Sequence, residues 1–564
     1  MPLSPGGAAD NQFDELSSYH LLDTDPALQA ALARAGADAW LPGLREQGRA
    51  LGEADSWRQA ELANRHAPEL HRYDARGRRI DQVEFHPAWH RLLELYRAPG
   101  LIDRPFADEA PGRWTAWAAG FYLHGQLEPG SLCPATMTTA SIPVLRREPA
   151  LWAEAQAALT SARHDARDAP IAQKTALWVG MGMTEKQGGS DVRANTTTAW
   201  PVDAGGRGGA YRLRGHKWFF SVPMADAHLV VARQAASAAD DGADTSDLPL
   251  ACFWVPRWRP DGTRNAVQVL RLKDKVGNRS NASSEVEFDD AHAVLVGEPG
   301  RGIATIMEMA TITRLCCVLG SAALLRQAAV QALAYARRRQ AFGRPLAQHP
   351  AMQAVLADLA LESEAALLLG LQLAQAFEHA GDPADPASQA WQRIMTPAAK
   401  FWVCKRAIAA SAEAMEVLGG NGYVEPSVLA RLYREAPVNS IWEGSGNVMC
   451  LDVLRALQRA PKSWAPLRAS LLALAQGDGR IAAAVEQLTL GLQAGAAALE
   501  VQARLWVQQL VLAAQAGLMR THAPADVAEA FITSRLAPGA RLAVIGALPA
   551  GGALPSILQR AFPE

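Results

Sequence analysis

The sequence predicts an α+β protein in which a small β domain separates two helical regions, with a further helical region at the end of the chain. From about Trp57 to Gln173, apolar residues recur at spacings of three and four, which indicates amphipathic helices. Between about Leu177 and Gly297 the period falls to two, and Gly, Pro and Asp turns separate the runs, which indicates strands. Past Gly302 long Ala- and Leu-rich helices return, a pattern typical of a helical bundle.

These changes of period place the domain boundaries. We expect a lead-in and helical domain over 1–176, a β domain over 177–297, a helical bundle over 298–460 and a further helical domain over 461–564. Eight basic side chains stand against six acidic ones in that last region. It could therefore hold a few phosphates if its arginines cluster, although a solvated helix face explains the same residues equally well.

The bulk composition is that of a globular protein, with 49% apolar and 20% charged residues. A formal net charge of −2 gives no general attraction to nucleic acid or to anionic membranes, so a local patch must hold any such partner. The six cysteines are scattered without a C-x-x-C pair, which indicates reduced thiols and a cytoplasmic location. Neither a secretory signal nor a membrane span is predicted.

The first segment with chemical content runs from Met181 to Asp191. Its Gly-Gly pair lets the backbone approach a planar or phosphorylated ligand closely. Thr184 and Ser190 offer short hydrogen-bonding groups beside that pair. An ordinary surface turn has the same composition, so both interpretations stay open.

A second segment, Gly215 to Ser221, is an aromatic-rich strand that ends in a hydroxyl. The consecutive aromatics Trp218, Phe219 and Phe220 place rings on both faces of a sheet, so at least one ring faces something other than the main core. Core packing and a stacking platform for a flat cofactor explain this string about equally well.

A third segment, Asn439 to Met449, runs from a Gly-rich loop into a helix. Glu443 stands beside Trp442, and a carboxylate in such a dry place can have a raised pKa and serve as a base. Alternatively, Ser445 or Asn447 simply caps the helix, which is the commoner role of such a string.

His86 and His90 stand four residues apart, the spacing at which two side chains share one helix face as metal ligands do. The sequence offers no third ligand nearby. Ordinary packing is therefore the favoured interpretation, and no metal site is predicted.

Together with two further strings, these segments resemble the acyl-CoA dehydrogenase superfamily. Its motifs are T-E-x-x-x-G-S-D, G-x-K-x-W-I-T, R-x-x-F-G, G-G-x-G-Y and a Y-E-G-T-like string. Their counterparts stand here in the same order, as Thr184-Glu185 to Ser190-Asp191, Gly215–Ser221, Arg339–Gly343, Gly419–Tyr423 and Trp442–Ser445. The resemblance implies the acyl-CoA dehydrogenase fold: an N-terminal helical domain, a central β-barrel and a C-terminal helical bundle, here with an extra C-terminal helical domain.

Within that superfamily the chain is similar to the AidB-like branch, which responds to DNA alkylation. The strings that carry this similarity are Phe85–Arg91, Gly180–Asp191, Gly215–Pro223, Asp274–Phe288 and Arg431–Asp452. The similarity implies an FAD flavoprotein that binds double-stranded DNA and protects it from alkylation, with weak acyl-CoA dehydrogenase activity. It assigns DNA binding to the C-terminal domain and to the arginine that matches Arg455.

The resemblance also implies where FAD lies, between the β domain and the helical bundle. The residues implied to contact it are Met183, Thr184, Gly189, Ser190, Phe219, Phe220, Ser221, Ile441, Trp442, Gly444, Ser445 and Asn447. In the superfamily, Arg339 and Phe342 reach the dinucleotide of a neighbouring subunit. An oligomer, most often a tetramer, is therefore expected.

Glu443 aligns with the usual catalytic base, which removes the α-proton of an acyl thioester while the β-hydrogen leaves as hydride to the flavin. Some relatives carry the base just before a bundle arginine, but here Thr313 precedes Arg314, so Glu443 is the only candidate. The chain departs from the family at two glutamines, which are Glu416 and Pro350 here.

Two other functions stay open. The chain could be a metabolic dehydrogenase of a short branched acyl-CoA such as isovaleryl-CoA, or a DNA-binding protein in which FAD is only structural. The expected partners are double-stranded DNA, an acyl-CoA or alkylating small molecule, and further copies of the chain, with no membrane.

Overall fold

A computed structural model describes residues 11–107, 110–237, 246–537 and 553–563. The chain divides into two compact units. The first contains residues 1–54, 108–127 and 314–564, and the second contains residues 55–107 and 128–313. Residues 538–552 of the predicted last domain lie outside the described part of the chain.

The second unit is built around a β-barrel. Its strands are β1 (Glu69–Tyr73), β2 (Arg79–Glu84), β3 (Val179–Gly182), β4 (Thr198–Pro201), β5 (Ala210–Ser221), β6 (Ala227–Gln234), β7 (Leu250–Pro256), β8 (Val267–Leu272) and β9 (Ser283–Val296). Pairing runs β6–β4–β5–β9–β7, and β7 returns to β6, so these strands close into a ring. β3 adds to β6, β8 adds to β9, and β1 and β2 form a separate hairpin. The predicted β-barrel is confirmed.

Alternating side chains fill the barrel. Tyr211 and Leu213 of β5 point inward, and the ring of Tyr211 meets that of Phe253 at a centroid distance of 5.1 Å. Each such fully buried apolar side chain contributes roughly 1.5–3 kcal/mol to folding. The barrel is therefore a packed core that holds the connecting loops in place.

A β-bulge interrupts the alternation of β5. The register against β9 shifts between Lys217 and Phe220, so an extra residue is inserted in β5. As a result Lys217 and Phe220 are fully buried, while Trp218 is partly exposed and Phe219 is 51% exposed. The bulge presents two successive aromatic rings on the outer surface.

Lys217 forms a buried ion pair with Glu185. The Lys217 Nζ lies 2.7 Å from Glu185 Oε1, and neither side chain is exposed to solvent. Nζ also donates to the carbonyl of Val231, and the carboxylate accepts from the Thr196 and Thr197 amides at 2.7 and 3.1 Å. Burial raises the pKa of Glu185, but Lys217 and these hydrogen bonds outweigh it and bring that pKa to about 2. Burial lowers the pKa of Lys217 to about 8, against the attraction of Glu185.

The second unit also contains helices before and beside the barrel: Ala54–Arg65, Pro87–Arg97, Arg104–Ala107, Leu132–Leu145 and Pro149–Leu159. His86 caps the second of these, since its Nδ1 accepts from the Ala88 amide at 3.1 Å. His90 bonds to His164, with Nδ1 and Nε2 3.0 Å apart. Both histidines therefore bond to neighbouring groups of the protein.

The first unit is helical. Its helices are Pro26–Arg34, Leu41–Leu51, Arg113–Leu127, Pro350–His379, Pro386–Ala390, Thr396–Val417, Gly420–Tyr423, Val428–Ile441, Gly446–Arg459, Trp464–Ala475, Gly479–Gly491, Ala496–Val501, Ala503–His522, Ala525–Leu536 and Leu554–Ala561. Many begin at sequence signals: Asp25 caps the helix that Pro26 opens, and Asp478 accepts from the Arg480 and Ile481 amides.

A long helix, Gly302–Arg338, joins the residues of the second unit to those of the first along the chain. By length and composition alone this helix could cross a membrane. Most of its apolar surface is buried inside the protein, as is usual for the core helix of a bundle.

Buried charges anchor the region after residue 461 to the bundle. Arg535, on helix Ala525–Leu536, pairs with Asp358 and Glu362 of helix Pro350–His379, and all three side chains are buried. Burial raises the pKa of Glu362, but Arg535 and Arg406 outweigh it and hold that pKa below its usual range. This buried cluster therefore depends on the charge of the arginine as well as on those of the carboxylates.

We expect Arg535→Met to lower the free energy of unfolding by about 3–5 kcal/mol at pH 7, because it removes the buried cation that Asp358 and Glu362 share, although Arg406 still pairs with Glu362. In the variant the pKa of Glu362 rises from its lowered value, so the difference in stability from the wild type narrows as the pH falls toward about 5. Urea unfolding at several pH values measures this. Arg468→Met is the control, since its exposed ion pair with Glu486 is worth at most about 1 kcal/mol.

We expect Glu185→Gln to cost about 3–5 kcal/mol at pH 7, because Lys217 stays buried without an anion. The pKa of Lys217, already about 8 in the folded protein, then falls further below its unfolded value. The unfolded variant therefore binds more protons than the folded one, and its stability rises with pH more steeply than that of the wild type. Replacing both residues, by Glu185→Leu with Lys217→Met, should recover part of the loss; a flat pH profile for Glu185→Gln would contradict the ion pair.

Candidate functional site

In the second unit, the loop after β3 is hydrogen-bonded directly to the end of β5. The Trp218 amide donates to the Thr184 carbonyl at 2.8 Å, and the Glu185–Lys217 pair lies beside this bond. The Asn195 side-chain amide donates to the Met183 carbonyl at 2.8 Å and so holds it in place. Two of the motifs found in the sequence are thus joined directly.

The Gly-Gly turn is tightly packed against Thr184. A Cβ at Gly189 would lie 2.5 Å from Thr184 Oγ1, so glycine is required there. Gly188 has a φ of +136°, which residues with a side chain rarely adopt. Gly189 and Ser190 are exposed, and Met183 and Thr184 are partly buried. The turn offers backbone and hydroxyl groups to a ligand at the surface of the unit.

The end of β5 is held in a strained conformation. Val222, which follows Ser221, has a φ of +50°, an outlier for a β-branched residue. The neighbouring imidazole of His228 donates to the Ser221 carbonyl at 3.1 Å and is neutral, since burial lowers its pKa to about 3. A Cβ at Gly180 would lie 2.2 Å from the His228 ring. His228 was not found from the sequence, where only Gly180 hints at the close contact.

The aromatic platform consists of Trp218 and Phe219. Lys273 lies over both rings, with Nζ 3.9 Å from the Trp218 centroid and 4.6 Å from that of Phe219. Phe220 points the other way, into the barrel core, and stacks on His228 at 3.8 Å. Of the three aromatics, only Trp218 and Phe219 therefore present a ring at the surface of the unit.

In the first unit, Glu443 lies in a loop with unusual backbone angles. Its φ is +57°, and that of Gly444 is +108°. For a residue other than glycine, such a conformation costs of the order of 1–3 kcal/mol and needs support from its surroundings. Strain of this kind is common at functional sites.

Two buried cations supply that support. Lys400 Nζ donates to the Trp442 carbonyl at 2.7 Å and also to the Gly444 carbonyl. Arg314 Nε donates to the carbonyl of Glu443 itself at 3.1 Å. Three successive carbonyls of the loop are thus bound, which fixes where the partly buried Glu443 carboxylate projects.

Arg314 is held in turn by Asp452. The carboxylate of Asp452 lies 2.8 Å from Arg314 Nη1 and also pairs with Arg393 at 2.9 Å. Burial raises the pKa of Asp452, but the two arginines outweigh it and hold that pKa below its usual range. Lys400, Asp452 and Arg393 were not predicted from the sequence. Lys400 binds backbone carbonyls, which no side-chain pattern reveals, and Asp452 and Arg393 pair with side chains that are distant in the chain.

The other predicted residues of this segment flank the loop. Trp442 is partly buried and donates to Asn439 at 3.1 Å, while Ile441 is 66% exposed. Ser445 precedes helix Gly446–Arg459, and within the described chain its side chain makes no capping hydrogen bond. Asn447 is exposed and accepts from Arg504 at 3.2 Å, so the extra C-terminal region touches the predicted flavin segment.

The R-x-x-F-G string forms a short hairpin of Gln340–Ala341 and Arg344–Pro345. At its tip Phe342 is 97% exposed, with a φ of +53°. Arg339 precedes the hairpin and donates to the Asn11 carbonyl. A bare aromatic ring at a hairpin tip is typical of a residue that another molecule covers.

These features fit FAD. The second unit offers a bulged aromatic surface beside a glycine turn with hydroxyls, and the first unit offers a carboxylate on a fixed loop. The exposed ring of Phe219 is a surface of the kind on which a flat cofactor packs.

Three family models match the chain in order. The N-terminal domain of adaptive response protein AidB matches residues 11–166, the middle domain of acyl-CoA dehydrogenase residues 180–291, and its C-terminal domain residues 300–458. Together they follow the order of the motifs found in the sequence.

Individual proteins agree with the family models. AidB of Escherichia coli (strain K12), named as an acyl-CoA dehydrogenase, is 49% identical over 80% of each chain. The solved structure of Caenorhabditis elegans ACDH-11 in complex with C11-CoA has a TM-score of 0.85, 25% identity, and covers 96% of this chain and 95% of that one. An acyl-CoA dehydrogenase of Bacillus anthracis complexed with FAD shares the fold, with a TM-score of 0.61, 19% identity, and coverage of 80% and 78%.

The fold, the ordered motifs and these similarities lead to one assignment. The chain belongs to the acyl-CoA dehydrogenase family, in its AidB-like branch, and its cofactor is FAD.

Proposed function

We propose that the chain is an AidB-like flavoprotein that binds double-stranded DNA and protects it from alkylation, and that it keeps a weak acyl-CoA dehydrogenase activity at Glu443. The observation that carries the chemical part is the fixed loop around Glu443, with its three carbonyls bound by Lys400 and Arg314. A base must be held in one place to act on a carbon acid, and this loop holds one.

In the proposed reaction the Glu443 carboxylate takes the α-proton of an acyl thioester. The α-proton is weakly acidic, so the thioester carbonyl must receive hydrogen bonds as the negative charge develops. We assign one of them to the Glu443 amide, because the loop fixes the peptide groups on both sides of it. When bound, FAD would supply the acceptor for the β-hydrogen, which leaves the substrate as a hydride.

Two features favour weak rather than fast turnover. Glu416 is exposed where the family has a glutamine, and its negative charge would repel the phosphates of a dinucleotide. Pro350 stands at the first position of helix Pro350–His379, so it offers neither a side-chain amide nor a backbone N–H. Both positions weaken the contacts that the family uses across subunits.

We expect Glu443→Gln to lower the rate of electron-acceptor reduction with isovaleryl-CoA by about 10²–10⁴-fold, the usual contribution of a general base. The flavin absorption spectrum of the variant, recorded before substrate, should match that of the wild type. Glu443→Asp, which keeps the carboxylate, is the matched control and should retain more activity. Equal rates for the wild type and Glu443→Gln would exclude this base, and no bleaching of the wild-type flavin would favour a structural FAD.

A specific observation favours DNA as a partner. Arg455, Arg459 and Lys462 are exposed at spacings of four and three along the end of helix Gly446–Arg459 and the turn after it. Among the described residues, none of the three takes part in an ion pair. Positive charges grouped in this way attract phosphates, although the whole chain is nearly neutral. Arg455 is the arginine that the resemblance assigns to DNA.

We expect Arg455→Ala to weaken duplex binding uniformly across sequences and to reduce the slope of log affinity against log salt by about 1. Fluorescence anisotropy with a labelled duplex at several salt concentrations measures this. Arg468→Ala is the matched control, because Arg468 is engaged by Glu486 at 2.8 Å and should contribute little. A wild-type protein that binds no duplex at low salt would remove the DNA role and favour a metabolic dehydrogenase.

Two further properties belong to the proposal. We infer a homotetramer, since the exposed Phe342 needs a covering partner and the family uses this position between subunits. We also infer a cytoplasmic location, since all six cysteines lie in the described chain as buried thiols rather than disulfides.

A further inference from the structure

The segment Asn11–Leu16, called here the N-terminal strap, connects the parts of the first unit that carry the family motifs. The inference drawn from it rests on the proposed oligomer and on the flavin residues assigned above. The strap residues precede those motifs by more than 300 positions in the chain.

The strap completes the hairpin that carries Phe342. Asn11 Nδ2 donates to the Gln340 carbonyl at 2.7 Å, and the Gln340 amide donates to Asn11 Oδ1 at 2.9 Å. The side-chain amide of Asn11 thus pairs with the backbone as a neighbouring strand would. Arg339 also donates to the carbonyl of Asn11.

The same strap reaches the G-G-x-G-Y turn and the helix after it. Asn421 Nδ2 donates to Gln12 Oε1 at 2.9 Å. Glu15 accepts from the Ser427 hydroxyl at 2.7 Å and from the Val428 amide at 2.8 Å. A carboxylate at this place caps helix Val428–Ile441 and suits its positive end. That helix leads directly to Trp442 and Glu443.

The strap is itself anchored to helix Gly302–Arg338. The Gln331 side chain donates to the Leu16 carbonyl at 2.7 Å and accepts from the Leu16 amide at 3.0 Å. Arg338 donates to the Asp14 carbonyl at 2.6 Å and lies over the Phe13 ring at 5.0 Å. The hairpin, the turn and the helix start are therefore tied to one fixed support.

We propose that the N-terminal strap is a positioning element for FAD held by a second copy of the chain. The hairpin has only two residues in each strand, and its tip residue Phe342 is exposed, so contacts from outside the hairpin, those of His349 and of the strap, stabilise its geometry. The strap residues hold the hairpin and the G-G-x-G-Y turn ready for the dinucleotide. Preorganisation of this kind raises affinity because less freedom is lost on binding.

The test compares FAD affinity in Asn11→Ala, Glu15→Gln and Asp14→Ala. Asp14→Ala is the matched control, because this exposed side chain lies in the same segment and, among the described residues, Asp14 is bonded only through its backbone. FAD is titrated into flavin-free protein and its fluorescence quenching is recorded, with the oligomeric state followed by sedimentation. We expect dissociation constants about tenfold higher for Asn11→Ala and Glu15→Gln, equivalent to about 1.4 kcal/mol, and no change for Asp14→Ala.

A conservative variant separates positioning from simple folding. Glu15→Asp keeps the carboxylate and should recover part of the affinity that Glu15→Gln loses. Gln12→Ala removes the bond to Asn421 and should weaken FAD binding by less than Asn11→Ala does. It gives a second measurement of the strap if Asn11→Ala folds poorly.

Equal affinities for the wild type, Asn11→Ala and Glu15→Gln would overturn the proposal while leaving the FAD assignment intact. A wild type that binds FAD as a monomer would also overturn it, because no second copy would then be involved. A wild type that takes up no FAD would overturn both the flavin assignment and the role of the strap.

Discussion

The loop after β3 depends on one buried ion pair, Glu185 with Lys217. Neither charge could stay in the barrel alone, because removing an ion from water without a partner is costly. Each charge therefore fixes the position of the other, and the pair in turn fixes the path of the backbone between Met183 and Asp191. The backbone bond from Trp218 to Thr184 then sets the distance between the glycine turn and the aromatic strand. A polar contact in the core thus determines the geometry at the surface of the unit.

The sequence predicted the architecture well because the signals for it are local or strongly patterned. A change of hydrophobic period marks the transition from helices to the barrel and back, and the closed ring of strands agrees with it. The order of the motifs identified the family, which the family models confirm. The helix starts at Asp25 and Asp478, which were not predicted, are explained by capping chemistry that two or three neighbouring residues specify.

The features that support the site could not be predicted in the same way. Lys400 lies in the Ala-rich helix Thr396–Val417 and binds the carbonyls of Trp442 and Gly444, which leave no trace in the identity of any side chain. Asn11 likewise bonds to the backbone of Gln340. Phe220 turned inward because a bulge inserts one residue before it, and simple alternation does not reveal such an insertion.

The left-handed backbone of Glu443 has a consequence for anyone who engineers this protein. Glycine would relax that conformation without steric penalty, and a screen for heat resistance would therefore tend to select it there. The same change would delete the only carboxylate that the loop holds. At this position selection for durability and selection for chemistry pull in opposite directions, a trade-off common in enzymes. A directed-evolution library that aims at robustness should leave codon 443 fixed.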